Sequence, residues 1–141
     1  MTTTQNPLNA PYWTLRIAFG AVPAIAGLDK FTNLLVDWTQ YLSPLAESLL
    51  PVSPHVFMGA VGVIELLVGL AVLTKFTRIG AYVAAAWLVL VAVQVGAAGY
   101  FDVAVRDLVM ASAAFTLARI EATRSSPAPA VRPNSALAAT G

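Results

Sequence analysis

The 141-residue sequence contains no cysteine. Disulfides, thiolate nucleophiles, cysteine-ligated zinc and iron–sulfur clusters are therefore all excluded from this chain. It has one histidine, His55, so a bis-histidine haem site within one chain is excluded too. No second ligand type stands three or four positions from His55, and no metal site is expected. Charge is scarce: Asp, Glu, Lys and Arg make up 11% of the residues, against roughly 25% in soluble domains. The net charge of +1 comes with no basic cluster, and the aromatics lie in apolar runs, which gives no case for nucleic acid. No phosphate loop and no nucleophile with an adjacent base is present, so catalysis by this chain alone is not expected.

What is abundant is apolar surface. Hydrophobic residues make up 58% of the chain, and a domain this small buries only about two-thirds of what its unfolded chain exposes. The remainder needs lipid. A membrane helix takes about 20 mostly apolar residues, and four such spans are read at roughly 11–30, 55–74, 79–99 and 103–121. The expected fold is an all-α integral membrane four-helix bundle, one domain over 11–121. A polar N-terminal tail (1–10) and a Pro-, Ala- and Ser-rich C-terminal tail (122–141) are expected to be flexible.

The third span has no charge. The second contains Glu65, but its eleven Val, Ile, Leu and Phe residues contribute roughly −4 kcal/mol against about +3 for a central acid. It inserts. The first carries Arg16, Asp29 and Lys30, and the fourth the adjacent pair Arg106–Asp107. With four spans, Lys75, Arg78, Arg119, Arg124 and Arg132 share one side, which the positive-inside rule makes cytoplasmic. The expected location is the plasma membrane, multi-pass, with both termini in the cytoplasm. A signal peptide with its apolar core at 17–28 is the competing account of the N-terminus, but Arg16 is the one cation ahead of that core. The first span is read as a retained anchor.

Between spans one and two, Phe31, Leu34, Leu35, Trp38, Tyr41, Leu42 and Leu45 recur at steps of three and four. That stripe predicts an amphipathic helix, lying at the outer interface with Trp38 and Tyr41 at headgroup depth or packed over the bundle.

Helical spacing also predicts where the buried charges point. Glu65 shares its face with Gly62 and Gly69, and glycines mark the side where another backbone comes close. Glu65 therefore faces other helices. In span one, Arg16, Gly20, Pro23, Gly27 and Lys30 form a comparable stripe. At about 1.5 Å per residue, Arg106, Asp107 and Gln94 fall in the outer half of the bilayer and Arg16 in the inner half. Long side chains bring either Arg106 or Arg16 within reach of Glu65. Glu65 is expected to meet Arg106, with Gln94 and Asp107 completing a buried polar or ligand site; Arg16 and Lys30 are secondary candidates. Such a group acts either as a structural lock between helices or as a ligand or proton site. A small proton-coupled transporter or permease, with Glu65 titrating, is the alternative reading. The glycine stripes serve contacts within one chain or between copies in a homo-oligomer.

Three stretches together carry a family resemblance: "RIAFGAVPAIAGLDKF", "GVIELLVGLAVLTKFTRIGAY" and "DVAVRDLVMASAAFTLA". Over about residues 12–121 the chain resembles the DoxX and DoxX-like family of small four-helix membrane proteins. Arg16, Gly20, Gly27 and Lys30 match the family's first span; Glu65, Gly69 and Leu70 match its second; Arg106 and Asp107 match the start of its fourth. The resemblance implies an accessory or anchoring subunit of a membrane redox system linked to quinone, sulfur or oxidative stress. It implies a lipid bilayer and a redox-protein partner, with quinone as the cofactor to consider and none held covalently by the chain. If part of an enzyme, the chain would be a membrane subunit of an oxidoreductase.

Overall fold

The computed structural model describes residues 6–126. Among these residues the fold is all-helical: α1 (Asn9–Thr32), a short 3-10 helix (Trp38–Tyr41), α2 (Pro44–Leu49), α3 (Pro54–Leu73), α4 (Thr77–Ala97) and α5 (Phe101–Ser125). The four long helices fall on the four apolar stretches, each within a few residues of the expected ends. Two of them, α3 and α4, are long and apolar enough to cross a membrane by length and composition. The tails expected at 1–10 and 122–141 fall mainly outside the described residues. Where they overlap, helix continues instead, α1 from Asn9 and α5 to Ser125.

Local chemistry sets the ends. Ser43 and Ser53 cap α2 and α3, each hydroxyl accepting the backbone N–H three positions on, with proline next in line. Proline suits that position because its missing N–H would have had no partner there. After α4 the chain reverses at Gly99, whose φ of 92° favours glycine.

The helices pack as two pairs. α1 lies closely on α3 and α4 on α5; α3 joins the pairs through α4, while α1 and α5 touch only lightly. Glycine sets the α1–α3 distance. A Cβ built on Gly27 would lie 2.5 Å from the Gly62 carbonyl oxygen, and one on Gly69 would lie 2.5 Å from that of Gly20. The helices cross backbone to backbone at two levels seven residues apart. The glycine stripes thus join helices of one chain.

The end near the α3–α4 turn is filled by small and branched side chains, with Val72, Ala81, Ala114, Leu117 and Ala118 fully excluded from solvent. The outward faces are apolar as well: Ile17, Val22, Ile25 and Leu28 on α1, and Val105, Leu108 and Val109 on α5, are exposed. Among the described residues, four of the five buried polar and charged ones, Asp29, Lys30, Ser43 and Asp107, lie toward the opposite end, and the fifth, Thr77, lies at the α3–α4 turn.

The segment joining α1 to α3 corrects one expectation. The stripe from Phe31 to Leu45 does not form one amphipathic helix; α1 ends at Thr32, and the 3-10 helix and α2 follow. Asn33 adopts the left-handed conformation (φ 48°) and its N–H bonds Asp29 O. The Asp29 carboxylate then accepts the backbone N–H groups of Leu34 and Leu35 at 2.9 and 3.1 Å, the Thr32 hydroxyl and the Trp38 indole N–H. A carboxylate at the helix end offers the donors a better acceptor than continued helix does, and the periodic pattern loses to it. Leu34, Leu35, Leu45 and Leu49 are left exposed.

Candidate functional site

Glu65 lies in the middle of α3, and its carboxylate is held by Lys30, near the end of α1, at 2.6 Å. Their side chains are 14% and 4% exposed. Their levels along the helices differ, since Gly27 sits opposite Gly62. They meet because Cα–Cβ bonds tilt toward the helix N-terminus. In the antiparallel α1–α3 pair, Lys30 leans inward and Glu65 leans outward. Gly62 makes the room, for a Cβ there would lie 3.1 Å from Lys30 Cβ.

Trp38 closes the site from above. Lys30 Nζ lies 3.7 Å from the centre of its ring, within the range where a desolvated cation is held by the π face. The same indole donates its N–H to Asp29 at 2.8 Å. Asp29 and Lys30 are adjacent in sequence but have separate tasks: one shapes the loop, the other pairs with the buried acid.

The expected Glu65–Arg106 pair does not form. The Lys30–Glu65 pair is the one ion pair among the described residues, and Arg106 is exposed on the outer face of α5. Depth along a helix axis locates Cα atoms only, and the tilt of the Cα–Cβ bonds carries Lys30, not Arg106, to Glu65. Asp107 does turn inward. It is 6% exposed, close enough to Glu65 for the two charges to interact, and accepts no hydrogen bond from the described residues. Gln94 belongs to the loop: its carbonyl accepts the Ser43 hydroxyl at 2.9 Å, and its amide N–H₂ reaches Tyr41 O at 3.5 Å. Tyr41 packs edge-on against Tyr100, centroids 5.0 Å apart. Gln94 therefore fastens the covering segment to α4. Trp87, two turns deeper on α4, has a buried indole N–H without a partner among the described residues.

Arg16 stands apart, at the other end. Its Nε donates to Val72 O at 3.1 Å, and Nη2 donates to Leu73 O and Thr74 O at 2.9 and 2.7 Å. These carbonyls belong to the last turn of α3 and the residue after it, where helix carbonyls lack backbone donors and carry partial negative charge. Thr77 adds its hydroxyl to Val72 O. Arg16 fixes the end of α3 against α1.

Sequence reasoning missed Asp29 and Trp38 as members of the site. The signal available was Asn33, a residue that tolerates the left-handed conformation, placed four positions after an aspartate at the end of an apolar run. No group of three or more His, Asp or Glu side chains suited to a metal ion occurs among the described residues.

The family model DoxX matches residues 12–97, from the start of α1 to the end of α4. No curated protein and no solved structure matches the chain.

Proposed function

The chain belongs to the DoxX family, and from that premise we propose that it is an accessory membrane subunit anchoring a redox system. In this reading α1, α3, α4 and α5 all cross the bilayer. What lowers the apolar character of α1 is Arg16, Asp29 and Lys30, and all three are engaged internally, leaving Ile17, Val22, Ile25 and Leu28 facing outward. The α3–α4 turn, with Lys75 and Arg78, and the end of α5, with Arg119 and Arg124, lie on the cytoplasmic side of the plasma membrane by the positive-inside rule.

The observation that carries the scaffold reading is the Lys30–Glu65 pair under Trp38. A buried acid already matched by a lysine fixes how two helices face each other. Quinone is the group that the family resemblance brings to consider, and one orphaned buried donor and one buried carboxyl suit it. Trp87 offers a buried N–H to a carbonyl oxygen, and Asp107 offers an acceptor to a quinol hydroxyl. A bound quinone would supply two-electron chemistry to a redox partner; the chain's part would be to hold it.

Isolation from gently solubilised membranes tests this. The expected result is co-purification of a redox protein or quinone; recovery of the chain with neither, in several detergents, counts against it. Topology is read separately by single-cysteine labelling, for which the cysteine-free chain has no background. Ser48→Cys should react with an impermeant maleimide in intact cells, and Lys75→Cys only after permeabilisation.

A second reading rests on Asp107. A buried carboxyl that accepts no hydrogen bond from the described residues is a feature that proton-coupled transporters use. Solute flux in liposomes that is unchanged by Glu65→Gln would end the role of Glu65 as its proton carrier.

A further inference from the structure

At the end opposite Lys30–Glu65, a cleft of about 390 Å³ opens between the start of α1 and the end of α5. Here the two helices touch only lightly. Its floor is Tyr12, 3% exposed, whose hydroxyl accepts Arg16 Nη1 at 3.0 Å. The Arg124 guanidinium stands over the Tyr12 ring, its Cζ 4.2 Å from the centroid, with Nη1 donating to Asn9 Oδ1 at 2.6 Å. The guanidinium is thus held in one place, while its other N–H groups have no acceptor among the described residues.

Glu121 stands one turn before Arg124 on the same wall. The two form no ion pair. Positions three apart on a helix place their Cβ atoms about 5–6 Å from one another. Glu121 accepts the Ser125 hydroxyl at 3.3 Å and lies by the Tyr12 hydroxyl, and a carboxylate's remaining lone pairs leave it able to accept more. The cleft therefore presents a fixed cation and a separate anion side by side, and Trp13, half exposed, stands at its rim. A purely anionic head group would meet Arg124 but be repelled by Glu121. A ligand carrying a phosphate and an ammonium a short link apart satisfies both. Glu121 accepts hydrogen bonds, so a primary ammonium suits it better than a quaternary one. Below Trp13, one turn along α1, Ile17 is exposed and apolar, a surface along which an acyl chain can run.

We propose that this cleft binds the phosphoethanolamine head group of a phospholipid in the cytoplasmic leaflet, phosphate on Arg124 and ammonium on Glu121. The inference rests on the membrane topology given above. Native mass spectrometry of the full chain, with phosphatidylethanolamine, phosphatidylglycerol and phosphatidylcholine offered at equal concentration, tests it. Wild type should retain phosphatidylethanolamine about fivefold over either competitor, the scale of one charge contact near a membrane surface. Glu121→Gln should abolish that preference without loss of phosphatidylglycerol, and Arg124→Ala should weaken retention of all three. Equal retention in wild type, or a preference that survives both substitutions, overturns the proposal. So does displacement of the lipid by equimolar soluble glycerophosphoethanolamine, which would make the ligand a free metabolite. Extraction of the chain by alkaline carbonate would instead overturn the topology, a separate failure.

Discussion

Lys30 Nζ and Glu65 Oε2 are 2.6 Å apart, joining the end of α1 to the middle of α3 across a glycine-lined crossing. Trp38 covers the lysine, and the two side chains are 4% and 14% exposed. Removing one partner leaves an unmatched buried charge, a loss of about 3–5 kcal/mol where such pairs have been broken. Lys30→Met should therefore lower the unfolding midpoint in detergent sharply. Lys30→Met with Glu65→Leu should recover most of the loss, since the double change leaves no charge behind. If the double variant is as unstable as the single one, the pair is not the source of the effect.

The glycine crossing makes a second expectation. Gly27→Ala and Gly62→Ala each bring a methyl within 2.6 Å of a backbone carbonyl oxygen, which no rotamer change relieves. Overpacking of this kind costs about 1–3 kcal/mol. Gly96→Ala is the control, for its nearest neighbour would be Ala104 Cβ at an ordinary 3.6 Å. Thermal unfolding of the three variants side by side should separate the first two from the third.

Arg16 gives a third. Arg16→Ala removes a charged donor from three carbonyls at the end of α3. Val72 O and Thr74 O are left to the Thr77 hydroxyl, and Leu73 O is left without a side-chain donor among the described residues. The expected destabilisation is about 1–3 kcal/mol. Arg16→Lys should restore only part of it, since one ammonium cannot reproduce the fork that spans Val72, Leu73 and Thr74. Hydrogen exchange should localise the change to the α3–α4 turn.

The loop supplies a pH dependence. The Thr39 hydroxyl and backbone N–H, donating to Asp37 at 2.6 and 3.1 Å, hold its carboxyl below the usual range, with His55 adding to the shift. A depressed carboxylate pKa stabilises the folded loop above the ordinary value of about 3.9. That contribution is lost as pH falls below it and through the lower, folded value. Amide exchange at Gln40 and Leu42 should accelerate in that range relative to amides in α4. Asp37→Asn should remove the pH dependence.

Much of the architecture was legible in the residues. Each of the four apolar stretches is a helix because its length and composition leave no other way to satisfy the backbone while burying so little of the side-chain surface. The glycines at 62 and 69 correctly marked the face of α3 that meets another helix, and Glu65 lies on that face. The partner was not legible, because depth along a helix axis says nothing of which way a side chain leans. Depth along the axis put Arg106 and Arg16 within reach of Glu65, whereas the antiparallel tilt of Lys30 and Glu65 brings those two together. The segment after Thr32 was misjudged for a related reason. Its stripe of Phe31, Leu34, Leu35 and Trp38 is real, but the Asp29 carboxylate takes the N–H groups that a continued helix would have used.

Composition by itself determined that this chain is helical and apolar on its outside, because hydrophobicity and period are properties of the residues in order. Which charge neutralises which, and that Gly27 and Gly20 face Gly62 and Gly69 in the same chain, was decided only by tertiary packing. Pairing depends on where two helices cross and which way their side chains tilt, and neither is a property of any single segment.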